Sequence, residues 1–252
     1  MDLGIEGKVA IVGGASAGIG RAIAAALIAE GARVVVSSRD PQRTATAAGE
    51  LGAAGAVAWD TGDVAGADVL VDRVEAEHGP IEIAVVNTGG PPPNADPLAF
   101  DDEQWEDAHR HLVRSPMALL RRVLPGMRER GWGRVVNVVS SSVREPIPAL
   151  MLSNAERSAA LAAFKTVARE VARDGVTLNS LLTGQIATRR IAAAWGGSLE
   201  RAEEAARTAV PAGRLGRPEE MAAVATFLCS QQAAYVTGTA IPVDGGLLRG
   251  VW

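Results

Sequence analysis

A cluster of glycines near the amino terminus has the residue types and the spacing to bind a phosphate group. Residues 14 to 20 read Gly-Ala-Ser-Ala-Gly-Ile-Gly, which is a G-x-x-x-G-x-G pattern. Glycines at these positions let the backbone turn sharply and approach a pyrophosphate at the start of a helix. The sequence therefore predicts a dinucleotide site that is formed by Gly14, Ser16, Gly18, Ile19 and Gly20.

A polar cluster farther along the chain bears on which dinucleotide is bound. An acidic residue at the end of the second strand would bind the adenosine ribose hydroxyls and repel a 2′-phosphate. This chain has Ser37, Ser38 and Arg39 there, and Arg39 can make charge-assisted hydrogen bonds to that phosphate. Asp40 weakens the inference unless it begins the next helix. We predict NADP(H) as the cofactor, with NAD(H) as the less favoured alternative, and Ser38 and Arg39 among its contacts.

Both clusters depend on buried strands and helices for their position. Uninterrupted apolar runs predict strands at residues 9–12, 33–37, 56–59, 81–86, 134–139, 177–182 and 240–243. Helices are predicted at residues 21–30, 41–51, 64–78, 101–130, 154–174 and 219–230. Repeated βα units predict an α/β fold with a doubly wound, Rossmann-like parallel sheet. The length of 252 residues suits one domain over residues 1–252.

Residues 192–212 follow the sixth predicted strand and contain Gly196 and Gly197 between two helical pieces. Ligands of a doubly wound sheet bind beyond the carboxyl ends of the strands, where this segment begins. It is therefore well placed to be a lid over the ligand. An ordinary pair of surface helices is the alternative.

Composition excludes several classes of protein. A formal net charge of −4 argues against a nucleic-acid-binding protein, and a single cysteine, Cys229, excludes a disulfide framework or a Cys-rich metal site. The histidines have no metal-ligand spacing, so no metal is predicted. The amino terminus has no apolar signal segment, and no apolar run is long enough to span a membrane. We expect a cytoplasmic protein with a small-molecule substrate and neither nucleic-acid nor membrane partners.

Four segments together resemble the short-chain dehydrogenases/reductases, especially the β-ketoacyl-acyl-carrier-protein reductases, over almost the entire chain. One is the glycine cluster. The others are Val86 to Gly90, similar to N-N-A-G, Thr183 to Thr188, similar to P-G-x-x-x-T, and the tail formed by Arg214 to Glu220 with Val236 to Gly246. The resemblance implies further cofactor contacts at Asp60, Asn87, Gly89, Arg157, Gly184, Ile186 and Thr188. It also implies a homo-oligomer, either a dimer or a tetramer.

The family reduces carbonyl groups with a serine, a tyrosine, a lysine and a helix asparagine. Ser140 lies at the serine position, but Ser153 occupies the tyrosine position, Arg157 the lysine position and Leu112 the asparagine position. The resemblance therefore implies a catalytic set of Ser140, Ser153 and Arg157. Serine is a far weaker acid than tyrosine, and a guanidinium does not release its proton at accessible pH. The usual proton relay is missing.

These departures leave several functions open. The protein can be an oxidoreductase in which Ser140 polarises a carbonyl group and water or the substrate supplies the proton. It can instead be an NADP(H)-binding module that serves regulation or a partner, or it can perform another chemistry on the cofactor. The simplest alternative is that Ser140, Ser153 and Arg157 form a polar capping cluster, with Ser153 as the cap of a helix that begins near Asn154.

Overall fold

The computed structural model describes residues 1–251 and places seven parallel strands in one sheet. The strands are β1 (Val9–Val12), β2 (Arg33–Ser38), β3 (Gly55–Ala58), β4 (Ile83–Asn87), β5 (Gly133–Ser140), β6 (Val176–Thr183) and β7 (Ala240–Val243). They lie in the order β3-β2-β1-β4-β5-β6-β7. This arrangement confirms the predicted doubly wound, Rossmann-like sheet.

Helices cover both faces of the sheet. In the described chain they are α1 (Gly18–Ala29), α2 (Pro41–Leu51), α3 (Gly66–His78), α4 (Asp102–His109), α5 (Ser115–Glu129), α6 (Met151–Val171), α7 (Arg189–Ala194), α8 (Leu199–Ala209) and α9 (Pro218–Leu228). A π-helical turn, Arg110–Arg114, joins α4 to α5. Pro116 accounts for this turn, because proline has no N–H to donate to the carbonyl of Leu112 and its ring crowds that carbonyl.

Helix α6 begins earlier than the sequence predicts, and this changes the role of Ser153. A short 3-10 turn that starts at Pro148 runs directly into the helix, which begins at Met151 with Leu150 as its N-cap. Asn154 anchors this start by donating a hydrogen bond from its side chain to the carbonyl of Ile147 at 2.8 Å. Ser153 therefore lies inside the helix, and the prediction that it caps the helix is wrong.

The core has two layers, one on each face of the sheet. Strand β1 shows the division: Ala10 and Val12 face a layer that includes α1 and α9, whereas Val9 and Ile11 face a layer that includes α3, α5 and α6. Cys229 ends α9 and is fully buried, and burial raises the pKa of its thiol to about 12. Within residues 1–251, none of the helices has both the length and the apolar character that crossing a membrane requires.

The order of the strands reverses between β1 and β4. Chain connections leave these two strands in opposite directions, so a crevice opens between their carboxyl ends, where ligands of this architecture bind. Gly13 and Gly14 follow β1, and Asn87 and Thr88 lie at the end of β4; all four line a cleft with about 340 Å³ of empty space. The sheet thus positions the predicted glycine cluster at the edge where a ligand can reach it.

Candidate active site

The glycine turn, residues 13–20, packs against the end of β4 so closely that side chains are excluded. Gly14 has a φ of 60°, and a Cβ added to it would lie 2.5 Å from the carbonyl oxygen of Asn87. A Cβ on Gly20 would lie 2.5 Å from the carbonyl oxygen of Gly14. Helix α1 begins at Gly18, and its N-cap, Ala17, makes no side-chain hydrogen bond to the free N–H groups of the first turn. Those N–H groups are available to a pyrophosphate.

The two remaining members of the predicted glycine cluster differ in exposure and packing. Ser16 is half-buried in the turn, and Ile19 packs partly against the core layer that contains α1. The side chain of Ile19 therefore contributes to packing. A contact between Ile19 and a cofactor would involve its backbone in the first turn of α1.

Segments from two other strand ends complete this part of the cleft. The Asn87 side chain donates a hydrogen bond to the carbonyl of Gly13 at 3.4 Å, which ties β4 to the glycine turn. Thr188 is the N-cap of α7, and its methyl group lies beside Gly18. Ile186 is buried, whereas Gly89 is exposed with open space around its α-carbon. The end of β4, through Asn87, and the segment after β6, through Thr188, therefore both contact the glycine turn.

Gly184 packs against a different part of the chain, the segment that follows β7. A Cβ at this position would lie 2.5 Å from the α-carbon of Asp244. This close approach to the segment that follows β7 gives Gly184 a packing role, whatever its contact with a cofactor. Thr183, which stands where the family has proline, has a buried side-chain oxygen without a hydrogen-bond partner in the described chain.

The adenosine end of the cleft lies beyond β2. Ser37 lines it, and the buried Ser37 hydroxyl has no hydrogen-bond partner in the described structure. Arg39 is exposed, and within residues 1–251 no acidic side chain pairs with it. Asp40 is the N-cap of α2 and accepts a hydrogen bond from the Arg43 N–H at 3.0 Å, so it serves its own helix. The sequence argument against a 2′-phosphate at Arg39 is thereby removed.

The other predicted contacts at this end have local partners. The Ser38 and Thr44 hydroxyls are hydrogen-bonded to each other, and the Asp60 carboxylate accepts from the Gly62 N–H at 2.9 Å. Sequence reasoning missed Trp59, which lines the cleft immediately before Asp60. The available signal was its position at the end of the third predicted strand, immediately before the predicted cofactor contact Asp60. These features fit an adenine nucleotide with a phosphorylated ribose.

Arg157 is the centre of the hydrogen bonds at the catalytic positions. Its Nε donates to the Ser153 hydroxyl at 3.2 Å, its Nη1 to the carbonyl of Val138 at 3.1 Å and its Nη2 to the carbonyl of Thr88 at 3.0 Å. Arg157 is 8% exposed and Ser153 only 2%. We call these four groups the Arg157 network. It links α6 to the ends of β4 and β5, so it is not a helix-capping cluster.

The charge state of Arg157 follows from its surroundings. Burial lowers the pKa of its guanidinium to about 10, with a further contribution from the positive charge of Arg190. The group therefore stays protonated at neutral pH and cannot shuttle protons. Ser153 accepts a hydrogen bond from this cation, and at 2% exposure its hydroxyl is far less accessible to a substrate than that of the half-buried Ser140.

Ser140 retains the features of a carbonyl-binding group. It ends β5, is half-buried, and accepts a hydrogen bond from the Ser142 N–H at 3.1 Å. Because the hydroxyl acts as an acceptor in that bond, its own proton is free to be donated to a substrate oxygen. Leu112 lies in the π-helical turn and is 2% exposed, so it supplies an apolar surface where the family has an amide.

A second arginine near the Arg157 network was missed by the sequence analysis. Arg190 is the second residue of α7 and donates hydrogen bonds to the carbonyls of Gly90 at 3.1 Å and Pro91 at 3.4 Å. These bonds join the segment after β6 to the glycine- and proline-rich loop after β4. The only signal in the sequence was its place two residues beyond Thr188.

Comparison with known proteins agrees with this geometry. The family model described as enoyl-(acyl carrier protein) reductase matches residues 14–248. The chain is 36% identical over 248 residues to the 3-oxoacyl-acyl-carrier-protein reductase FabG of Vibrio harveyi, which covers 97% of this chain and 99% of that protein.

Two solved structures share the fold over nearly their full length. L-sorbose reductase from Gluconobacter frateurii, complexed with NADPH and L-sorbose, has 33% identity and a TM-score of 0.92, with 100% of both chains covered. A 3-oxoacyl (acyl-carrier-protein) reductase from Agrobacterium tumefaciens C58 with NADP bound has 32% identity and a TM-score of 0.90, covering 97% of this chain and 96% of that one.

These relatives bear on the cofactor and on the family. Both solved structures hold the phosphorylated dinucleotide, which supports the prediction of NADP(H) over NAD(H). The matched residues run from the glycine turn through the carboxyl-terminal tail motif, and they confirm the resemblance found in the sequence. The chain belongs to the short-chain dehydrogenase/reductase family.

Proposed function

We propose that the protein is an NADP(H)-dependent oxidoreductase that acts on a carbonyl or alcohol substrate through a non-standard active site. The observation that carries this proposal is the pairing of a complete glycine turn with Ser140, whose proton is free for a substrate oxygen. NADPH, when bound, supplies the hydride. The protein's own contribution is to bind the dinucleotide and to orient the carbonyl group.

Each residue has a defined part in this proposal. The glycine turn and the first turn of α1 bind the pyrophosphate, and Arg39 binds the 2′-phosphate. Ile186 and Thr188 hold the nicotinamide amide and Asn87 lines the cofactor, as the resemblance implies. Ser140 donates a hydrogen bond to the carbonyl oxygen and stabilises the negative charge that develops there. The Arg157 network holds the ends of β4 and β5 together beneath this site.

The source of the proton distinguishes this site from that of its family. Ser153 is buried and accepts its hydrogen bond from Arg157, and Arg157 stays charged. Water or an acidic group of the substrate must then supply the proton. A positioned acid contributes about 100- to 10,000-fold to a rate, so we expect slow turnover.

A cofactor-binding module is the second candidate. It is favoured by the Arg157 network itself, because that network uses the tyrosine and lysine positions of the family for hydrogen bonds within the protein. Such a module would bind NADP(H) for regulation or for a partner. Turnover with NADPH separates the two candidates.

Titration of the protein with NADPH and NADH, followed by nucleotide fluorescence, tests the cofactor. We expect NADPH to bind more tightly than NADH, and binding of neither below millimolar concentration would contradict the proposal. A panel of ketones, aldehydes and quinones with NADPH then tests the reaction. Oxidation of NADPH above background with any of them supports the oxidoreductase, whereas none favours the module.

The double substitution Ser153→Tyr with Arg157→Lys tests what the site lacks. If only the acid is missing, ketone reduction rises. The matched control is Ser158→Tyr with Arg169→Lys, which changes exposed positions of the same helix and should leave the rate unchanged. No gain in the active-site variant, with folding and NADPH affinity intact, would show that the site is rebuilt more deeply.

Three further proposals rest on the resemblance and on sequence position. The protein forms a dimer or a tetramer, which light scattering on the purified chain measures directly. It is located in the cytoplasm. Residues 192–212 act as a lid: they form the end of α7 and the helix α8, with Gly196 and Gly197 between them, as the sequence predicts. Protection of this segment from hydrogen exchange on NADPH binding would support the lid.

A further inference from the structure

Two guanidinium groups converge on the bare α-carbon of Gly90. A Cβ added to Gly90 would lie 2.6 Å from Nη2 of Arg190 and 3.4 Å from Nη2 of Arg157. Gly90 follows β4 in the loop that borders the catalytic positions, and its lack of a side chain leaves room for the Arg190 guanidinium. The neighbouring Gly89 has open space around it as well.

Neither cation has an acidic partner in the described part of the chain. No carboxylate of residues 1–251 lies within ion-pair distance of Arg157 or Arg190, although other arginines have such partners; Arg122, for example, contacts Asp68 and Asp72. Two like charges this close repel each other, and the burial of Arg157 weakens screening by water. An anion between them would remove that cost.

Arg134 shows how this chain accommodates a buried arginine that has only a structural task. Its guanidinium donates to the carbonyls of Ser230, Gly133 and Gly175, and it lies 4.5 Å from the centre of the Trp132 ring. The cation is thus enclosed by carbonyl oxygens and an aromatic face. Arg157 differs, because the guanidinium of a second arginine, Arg190, lies beside it over Gly90.

Both guanidinium groups retain donors for a ligand. A guanidinium has five N–H groups; Arg157 uses three in the Arg157 network, and Arg190 uses two on the loop after β4. Arg157 is held by bonds to two strands, whereas Arg190 is exposed and can adjust. One guanidinium group that is held in place and one that can move suit a carboxylate, because a carboxylate accepts paired hydrogen bonds from arginine.

We propose that Arg157 and Arg190, whose guanidinium groups meet beside Gly90, bind a carboxylate of the substrate, so the substrate is a small oxo acid. This inference rests on the proposed function. The phosphates of the dinucleotide have separate sites, at the glycine turn and at Arg39, on the β1 and β2 side of the crevice. The anion at Gly90 therefore belongs to the other ligand. With the carboxylate bound there, Ser140 is the remaining donor for the carbonyl oxygen.

The test compares oxo acids with their uncharged esters. Pyruvate, acetoacetate and 4-oxopentanoate are each titrated against their methyl esters by protein-observed NMR at saturating NADP⁺, which requires no turnover. We expect at least one acid to bind 10-fold or more tightly than its ester. Arg190→Gln should abolish that preference without changing the affinity for NADPH, whereas Arg190→Lys should restore part of it.

Two controls separate a binding role from a structural one. Arg189→Gln changes the exposed neighbouring charge and should leave the preference intact. Gly90→Ala should fold, because its nearest contact is the flexible end of Arg190, but it should weaken binding of the acid. Equal binding of acid and ester by the unmodified protein would overturn the inference, as would an Arg190→Gln variant that weakens both equally.

The outcomes also distinguish this inference from the proposed function. If NADPH binds and acids show no preference over esters, only the carboxylate site fails. If NADPH does not bind, the proposed function fails whatever the acids do. Inorganic phosphate is titrated in parallel, and phosphate binding that depends on Arg190 without any preference for an oxo acid would replace the carboxylate with a phosphoryl group and contradict the inference.

Discussion

The glycine turn and the Arg157 network lie at the same edge of the sheet, but their positions are fixed in different ways. In the glycine turn, backbone lies directly against backbone, and the absence of side chains is what permits the contact between Gly14 and Asn87. In the Arg157 network, one long side chain spans the distance between α6 and two strands. The first region matches the family closely, whereas the two side chains of the second, Ser153 and Arg157, both stand where the family has other residues. A cofactor site formed by backbone can persist while the side chains that perform the reaction change.

The largest effect is expected when a side chain is added to the glycine turn. Gly20→Ala would place a methyl group 2.5 Å and 2.8 Å from the carbonyl oxygens of Gly14 and Gly13, which cannot move independently of the sheet. We expect the free energy of unfolding to fall by about 1–3 kcal/mol and NADPH affinity to fall roughly 100-fold, equivalent to about 2.8 kcal/mol. Urea denaturation and nucleotide fluorescence measure the two.

Gly49→Ala is the matched control for that substitution. Gly49 lies in the exposed face of α2 with nothing within 4 Å of the added Cβ, so alanine should stabilise the protein by about 0.5–1 kcal/mol. If Gly20→Ala behaves like Gly49→Ala, close backbone contact is not what defines the cofactor site.

Removal of the Arg39 side chain should separate the two dinucleotides. Arg39→Ala removes charge-assisted hydrogen bonds to the 2′-phosphate, which are worth about 1.5–3 kcal/mol each. We therefore expect roughly 10- to 100-fold weaker NADPH binding and unchanged NADH binding. Arg33→Ala, at the opposite end of β2, should change neither affinity. A parallel loss of NADPH and NADH affinity would assign Arg39 a structural role.

The Arg157 network should depend on the shape of the guanidinium and not only on its charge. Arg157→Lys keeps the positive charge, but a single ammonium cannot reach the Ser153 hydroxyl and both carbonyls. Each buried group left without a partner costs about 1–3 kcal/mol, so we expect a loss in this range in urea denaturation. Arg169→Lys on the exposed face of α6 should be neutral. An equally neutral Arg157→Lys would show that charge alone is required.

The smallest effect is expected in the tail motif, outside both regions. Hydrogen bonds from Arg214, with a further bond from the Arg217 N–H, lower the pKa of Glu220 to about 2, against an ordinary value of 4.5. Because the pKa is lower in the folded state, the stabilisation is present above about pH 4.5 and is lost as the pH falls toward 2.

Glu220→Gln should therefore have a lower melting temperature than the unmodified protein at pH 7, and the difference should shrink as the pH falls from 5 to 2. Glu219→Gln, one position earlier in α9, is the control. A difference that is constant with pH would mean that Glu220 acts by packing and not by its charge.

The sequence predicted much of the fold and the cofactor side of the site. Continuous apolar runs indicated the parallel strands, because strands covered on both faces need apolar residues throughout. The start of α6 was missed, since the 3-10 turn at Pro148 extends the helix upstream and leaves Ser153 inside it. Trp59 and Arg190 were missed because neither belongs to a motif, and only the arrangement of strand ends brings them to the cleft.

By itself, the sequence determined the position of the glycine turn that we propose as the dinucleotide site. Glycine alone combines conformational freedom with the absence of a side chain, and the spacing of the glycines is visible in the chain. Only the tertiary structure decided what Arg157 does. Its acceptors include main-chain carbonyls 19 and 69 residues away, and every residue has such a carbonyl, so the pairing leaves no pattern in the sequence. The convergence of Arg157 and Arg190 on Gly90 also leaves no pattern in the sequence, because it depends on two loops that meet at one edge of the sheet.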